Sequence, residues 1–202
     1  MNPDKLDTTF GTAWFAPPLF YKYETALRFE LGSGQHPLDR FLSAYERAAA
    51  ITSHLLGNAD DLTLAIVFWT DTDKPCASEL FRLWRALRTC GLPAPDRQSL
   101  GFLRIKEHGE STGILRMTMT IGEEHIRRAL WAAIAHDLGV QPNMPALIFL
   151  ASISLGVLLH PYDDRGLDAV GTSVDSIRSA YEQFHDWLLT DDLARMIRTF
   201  GD

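Results

Sequence analysis

The spacing of hydrophobic residues along the chain predicts alternating strands and helices. In residues 26–31, three hydrophobic side chains alternate with Arg28 and Glu30, which predicts a strand with one buried and one exposed face. Hydrophobic residues at steps of three and four across residues 38–55 predict a core-facing helix of about five turns. Residues 62–69 are a short and mostly continuous apolar run, which is typical of a strand inside a sheet.

The second half of the chain repeats this alternation. A helix is predicted between Ser78, as its cap, and Gly91, with Leu83, Trp84 and Leu87 among its inward-facing residues. Together the segments predict an α+β fold, in which helices pack against a mostly antiparallel sheet of about six to seven strands. The other predicted elements are a hairpin around Gly109 and Gly113 (strands 100–107 and 114–121), a helix (123–138), a three-stranded meander (146–152, 155–160 and 167–171), an amphipathic helix (174–188) and a short helix (190–200).

The first 24 residues differ from the rest because prolines and aromatic residues are concentrated there. This composition predicts an irregular arm, residues 1–24, that is held in place by its rings. An alternative is that Trp14, Phe15, Phe20 and Tyr21 anchor the chain to another subunit. We find no repeat, low-complexity tract or linker, so we expect one domain across residues 1–202.

Composition narrows the classes of function. The chain has 202 residues, of which 46% are hydrophobic, enough for one core. Its 19 Lys and Arg residues against 26 Asp and Glu residues give a net charge of −7, which repels nucleic acid and anionic lipid. We therefore expect no nucleic acid or membrane partner, and a basic protein partner if there is one.

Cysteine spacing and hydropathy indicate a cytoplasmic protein. Cys76 and Cys90 form no paired metal-ligand motif, so they are expected to be free thiols. The N-terminal residues lack the pattern of a secretory signal. Residues 144–159 are the most apolar stretch, but they are shorter than the roughly 18 to 20 residues of a membrane span, so we expect them in the core.

The segment of greatest chemical interest is the tight turn in the last predicted hairpin. Beside His160, the carboxylates of Asp163, Asp164 and Asp168 could hold a divalent ion or act as acid and base. Turn geometry explains the same residues, because Asp163 and Asp164 can accept backbone N–H bonds, Arg165 can pair with one of them, and Gly166 can supply a positive φ. We name no catalytic residue, metal ligand or cofactor. The candidate site, interpreted as a partner-binding or structural turn, comprises Tyr162, Asp163, Asp164, Arg165, Gly166 and Asp168.

Two motifs together resemble a known family. The first is Leu27-Arg28-Phe29-Glu30-Leu31-Gly32, which follows Leu19-Phe20-Tyr21, and the second runs from Tyr162 to Asp168 and precedes a helix with Tyr181 and Trp187. They resemble an uncharacterised bacterial family that is catalogued as a domain of unknown function. The resemblance covers about residues 18 to 200. It implies a bacterial, cytosolic, stand-alone protein and supplies no catalytic residue.

These observations leave two main hypotheses for the function. The first is a non-enzymatic protein-binding domain, in particular an immunity-type inhibitor that masks a basic toxin, because charge complementarity speeds and selects such an association. The alternative is a small metal-dependent hydrolase or phosphotransfer enzyme that uses His160, Asp163, Asp164 and Asp168. Oligomerisation through the N-terminal arm is a third hypothesis.

Overall fold

The computed structural model describes residues 3–70, 72, 74–107 and 110–201. Within this part of the chain, the fold has six α-helices and seven strands. The helices are α1 (Asp4–Phe10), α2 (Pro37–Leu56), α3 (Ala77–Thr89), α4 (Glu123–Ile134), α5 (Asp175–Gln183) and α6 (Leu193–Phe200). The strands are β1 (Ala26–Glu30), β2 (Thr63–Thr70), β3 (Leu100–Glu107), β4 (Glu110–Thr120), β5 (Leu147–Ser152), β6 (Val157–Pro161) and β7 (Gly166–Gly171).

The strands form one antiparallel sheet in the order β1-β7-β6-β5-β2-β4-β3. This arrangement confirms the α+β fold class and the number of strands. The apolar run of β2 lies inside the sheet between β5 and β4, as its continuous hydrophobicity predicts. The hairpin β3–β4 and the meander β5–β6–β7 also form, although residues 108 and 109 of the hairpin turn lie outside the described residues.

Helices cover one face of the sheet and the N-terminal segment covers the other. On the helical face, Thr70 bonds to Glu79 of α3, and Phe29 packs against Phe184 just after α5. On the opposite face, the Trp14 ring packs edge-on against Phe149, with centroids 5.5 Å apart. The core is therefore a double layer, and the N-terminal segment is an integral part of it.

The N-terminal arm is more regular and more buried than the sequence indicates. It begins with a short helix, α1, and not with irregular chain. Trp14, Phe15 and Phe20 are buried within the chain's own core, and among the four candidate subunit anchors only Tyr21 is exposed, at 56%. Burial of hydrophobic rings in the chain's own core leaves them unable to anchor another subunit without unfolding the arm.

Strand β1 differs from the prediction at Arg28, where the second face is also covered, whereas Glu30 is exposed as expected. Arg28, expected on the solvent face, is only 8% exposed. The outer edge of β1 is also covered, since the Leu189 N–H donates to the Arg28 carbonyl at 2.9 Å and Leu188 bridges to Phe29. The opposite end of the sheet is different, because β3 pairs only with β4 within the described chain.

Helix boundaries differ from the predictions at several ends. Helix α3 begins after Cys76, which forms a capping box with Glu79, so Ser78 lies inside the helix. Leu83 and Leu87 are buried, but Trp84 is 41% exposed. The hydrophobic stripe predicted from the sequence is therefore wider than the face that α3 buries. The helix predicted over residues 174–188 is divided, since α5 ends at Gln183 and a 3-10 turn follows at His185–Trp187.

The most apolar stretch of the sequence lies in the core, as predicted. It supplies β5 and most of β6, and Phe149, Leu150 and Leu158 are fully buried. Within the described residues, no helix has both the length and the apolar character that a bilayer span requires.

Candidate functional site

The two sequence motifs meet because β1 pairs with β7. Their register places Arg28 opposite Asp168 and Glu30 opposite Gly166. The contact continues past the strands, since the Leu31 N–H donates to the Arg165 carbonyl at 3.0 Å. Residues 27–32 and 162–168 are therefore two halves of one structure.

A buried ion pair lies at the centre of this structure. Arg28 Nε and Nη2 donate to the two oxygens of Asp168 at 2.8 and 3.0 Å, and Asp168 is fully buried. The second oxygen also accepts the Phe20 N–H at 3.1 Å. Burial lowers the pKa of Arg28, but the hydrogen bond and charge of Asp168 outweigh it and raise the guanidinium pKa above its ordinary value. The pair ties the arm to the sheet.

The other two carboxylates of the turn also bind arginines. Asp163 accepts the Arg165 backbone N–H at 2.7 Å and the Arg165 guanidinium through Nε at 2.8 Å. Asp164 accepts Nε and Nη2 of Arg40, from α2, both at 2.8 Å. These bonds leave each carboxylate with a charged partner, which is the arrangement expected for buried acids that hold a turn in place.

Gly166 is needed for a reason other than the predicted positive φ. Its backbone φ lies outside the left-handed region. A Cβ at this position would overlap the Tyr162 hydroxyl and would lie 2.7 Å from the Phe29 carbonyl oxygen. Glycine therefore permits the Tyr162 ring to cross the strand at close range. Burial, reinforced by the charge of Asp168, raises the pKa of the Tyr162 hydroxyl.

His160 is close to the turn but does not join its carboxylates. Its Nδ1 lies 2.9 Å from the Ile148 carbonyl oxygen, so Nδ1 carries the proton and donates it. Burial lowers the pKa of this imidazole from 6.5 to about 4, so the ring is neutral at physiological pH. No group of three or more His, Cys, Asp or Glu side chains suited to a metal ion occurs in the described part of the chain.

A pocket opens beside His160, where β5 and β6 separate. It has a volume of about 220 Å³, and Val67, Ile148, His160 and Tyr162 contribute to its walls. His160 Nε2 is buried and has no hydrogen-bond partner among the described residues. The imidazole ring stacks on Phe149, with centroids 4.3 Å apart, which fixes its orientation.

A second notable surface lies at the open edge of the sheet. Phe81 and Trp84 are exposed on α3, and Leu100 and Phe102 are exposed on β3. The register places Leu100 and Phe102 on the helical face of the sheet, the same face as α3. We name these four residues, Phe81, Trp84, Leu100 and Phe102, the edge surface.

Sequence reasoning found the acidic residues and the pairing of Arg165 with one of them, Asp163, but missed Arg28 and Arg40. A signal existed for Arg28, because it lies inside an apolar strand and Asp168 is the only charged residue of its own strand. When two strands bury charges of opposite sign, the two charges are expected to pair, because a buried charge without a partner strongly destabilises the fold. Arg40 gave no such signal, because it lies in the polar part of a helical pattern.

Comparison with known proteins supports the resemblance noted from the motifs. A family model described as "Domain of unknown function (DUF3885)" matches residues 3–192. The chain belongs to this family. The chain is also similar to "Uncharacterized protein YnaE" of Bacillus subtilis (strain 168), with 19% identity over 207 residues that cover 91% of this chain and 94% of the relative. No solved structure matches the chain.

The first prediction concerns the buried ion pair of this DUF3885 member. Arg28→Met should lower the free energy of unfolding by about 3–5 kcal/mol, because it leaves the Asp168 carboxylate buried without its charged partner. Arg28→Met/Asp168→Asn should recover part of that loss. Urea denaturation measures both, with the exposed Arg82→Met as a control that should stay within about 0.5 kcal/mol of wild type. An Arg28→Met cost no larger than the control would contradict the structural role.

The second prediction concerns acid sensitivity from His160. The folded-state pKa of about 4 lies below the ordinary 6.5, so the unfolded chain binds more protons between these values. The free energy of unfolding should therefore fall as the pH drops from 6.5 to 4, by about 3 kcal/mol from this residue. His160→Phe should remove that part of the pH dependence, whereas His54→Phe on the surface of α2 should retain it. Identical pH profiles for wild type and His160→Phe would be the contrary result.

The third prediction tests the alternative of a metal site at the turn. We expect Mg²⁺, Mn²⁺, Ca²⁺ and Zn²⁺ to leave the melting temperature unchanged, because Asp163 and Asp164 already bind arginines. A rise in melting temperature that Asp163→Asn abolishes, and that the nearby exposed Asp137→Asn retains, would instead favour the metal-dependent enzyme.

Proposed function

We propose that this chain is a non-enzymatic protein-binding domain, and that it acts as an immunity-type inhibitor of a toxin partner. The observation that carries the proposal is the edge surface. It combines exposed aromatic side chains with a strand that has an unpaired outer edge within the described chain. Such surfaces are where protein partners bind.

The composition of the edge surface matches that of protein interfaces. Phe81 is 70% exposed, and Trp84 and Phe102 are also exposed, although large aromatic side chains are usually buried. Aromatic residues are enriched in interface cores and supply much of the binding energy. The Phe102 side chain points to the face of the sheet on which α3 lies, so a partner that binds across this face can contact the rings of both elements.

The bonding of the turn supports a non-enzymatic function. Asp163, Asp164 and Asp168 each accept hydrogen bonds from an arginine, and Asp168 accepts a further backbone N–H. A carboxylate held in this way is a poor general base, because proton transfer would break its ion pair. The hydrolase alternative therefore stays a prediction without an observation that favours it.

Charge suggests the character of the partner. The net charge of −7 favours association with a basic protein, since long-range attraction raises the association rate. Two exposed arginines of α3 lie next to the aromatic residues along the helix, Arg85 four residues after Phe81 and Arg88 four residues after Trp84. We therefore expect a partner that is basic overall and has acidic groups in the region that faces α3.

The experiment is affinity purification of the tagged chain from its native host at low ionic strength. Wild type should retain one partner in stoichiometric amount, and Phe81→Ser/Trp84→Ser/Phe102→Ser should bind the purified partner at least about tenfold more weakly. The matched control is Leu38→Ser/Leu42→Ser, which changes two exposed apolar residues of α2. It should bind like wild type.

Two further measurements distinguish an immunity protein from another binding protein. The partner expressed alone should arrest growth, and co-expression of this chain should restore it. The dissociation constant should rise with salt, because screening weakens the attraction of opposite charges. The proposal fails if no stoichiometric partner is recovered, or if the triple variant binds the partner as tightly as wild type does.

A further inference from the structure

We infer that the pocket between β5 and β6 binds a small, uncharged and mostly apolar molecule that donates a hydrogen bond to His160 Nε2. This inference is independent of the protein-binding proposal, because it concerns other residues. It rests on how the strands separate, on the character of the pocket walls and on the protonation of the imidazole.

The pocket exists because two neighbouring strands stop pairing. The β5–β6 ladder ends at Leu150 and Leu159. Both strands continue with their other neighbours, since β5 pairs with β2 as far as Leu147, and β6 pairs with β7 as far as Pro161. The His160 ring donates to the Ile148 carbonyl, a backbone group that the β6 ladder no longer reaches. The separation of the strands is therefore stabilised by a specific side chain.

The walls of the pocket select for a neutral ligand. Val67 and Ile148 are buried, whereas Trp69 and His136 are exposed and lie at the mouth. None of the described lining residues is Asp, Glu, Lys or Arg. A charged ligand would lose its hydration without gaining an opposite charge, so an apolar body is favoured.

The imidazole supplies a directed polar contact at a buried position. Because Nδ1 donates to Ile148, the lone pair of the neutral ring is on Nε2, and Nε2 can only accept a hydrogen bond. This buried acceptor has no partner in the described chain. Buried polar atoms are nearly always hydrogen-bonded, so a ligand O–H or N–H is the missing group.

The size of the pocket favours an organic ligand over a single water molecule. Its 220 Å³ is several times the roughly 30 Å³ that one water molecule occupies in the liquid. Trp69 and Tyr162 are among the lining residues, and aromatic side chains pack favourably against a planar ring. The ligand class is therefore a compact, ring-containing alcohol or amide.

The test compares phenol with anisole, which has a similar ring but no hydroxyl donor. The protein is labelled with ¹⁵N in its imidazoles, and the His160 Nε2 resonance is followed by NMR as each probe is added. Phenol should shift this resonance as it donates its hydrogen bond, and it should bind about tenfold more tightly than anisole. Anisole should leave the Nε2 resonance unchanged.

Two variants locate the binding. Ala146→Phe narrows the pocket from a partly buried position and should abolish phenol binding. His160→Phe keeps a ring against Phe149 and should make the affinities for phenol and anisole equal. The inference is overturned if phenol leaves the wild-type Nε2 resonance unchanged, if Nε2 is already hydrogen-bonded to water that phenol does not displace, or if Ala146→Phe binds phenol normally.

Discussion

The buried pair of Arg28 and Asp168 is the interaction on which the rest of this structure depends. A carboxylate with no exposed surface is strongly unfavourable unless its oxygens accept several hydrogen bonds. Asp168 accepts two from Arg28 and one from the Phe20 backbone, so the strand, its neighbour and the N-terminal arm must all be in place together. The Arg28 guanidinium in turn lies over the Phe20 and Tyr21 rings, at 5.1 and 4.7 Å from their centroids. The pair therefore specifies how the arm closes the second face of the sheet.

The same constraint explains why the acidic turn is a poor candidate for chemistry. Leu31 and Gly32, at the end of the first motif, pack on the backbone of residues 164 and 165, and a Cβ on Gly32 would lie 2.5 Å from the Asp164 carbonyl oxygen. Asp164 then reaches outward to Arg40 of α2. Asp164 and Asp168 thus join α2, β1 and the N-terminal arm to this region, whereas Asp163 holds Arg165 within the turn. These contacts account for the cluster of acidic residues that, in the sequence, resembles a metal site.

The spacing of hydrophobic residues correctly predicted those elements whose burial follows from their own sequence. The interior position of β2, the length of α2 and the meander β5–β7 all follow from hydrophobic spacing. The burial of Arg28 and the need for glycine at 166 could not be predicted in this way, because they depend on Asp168 and on the Tyr162 ring, whose positions are set by tertiary contacts. The exposure of Trp84 is a similar case. Its spacing fits a buried stripe, but the part of the chain that the structure describes leaves Trp84 41% exposed.

At two places in the described chain, unused bonding or burial capacity coincides with an interruption of the antiparallel pairing. At the edge of the sheet, β3 has no second neighbour in the described chain, and apolar side chains beside it are exposed. Inside the sheet, β5 and β6 separate and His160 Nε2 is left without a partner. Because each acid of the turn is already bonded to an arginine, the recognition of other molecules is expected at these interruptions. The edge suits a macromolecule, since it is open and broad, whereas the interior gap suits a small ligand with a single donor.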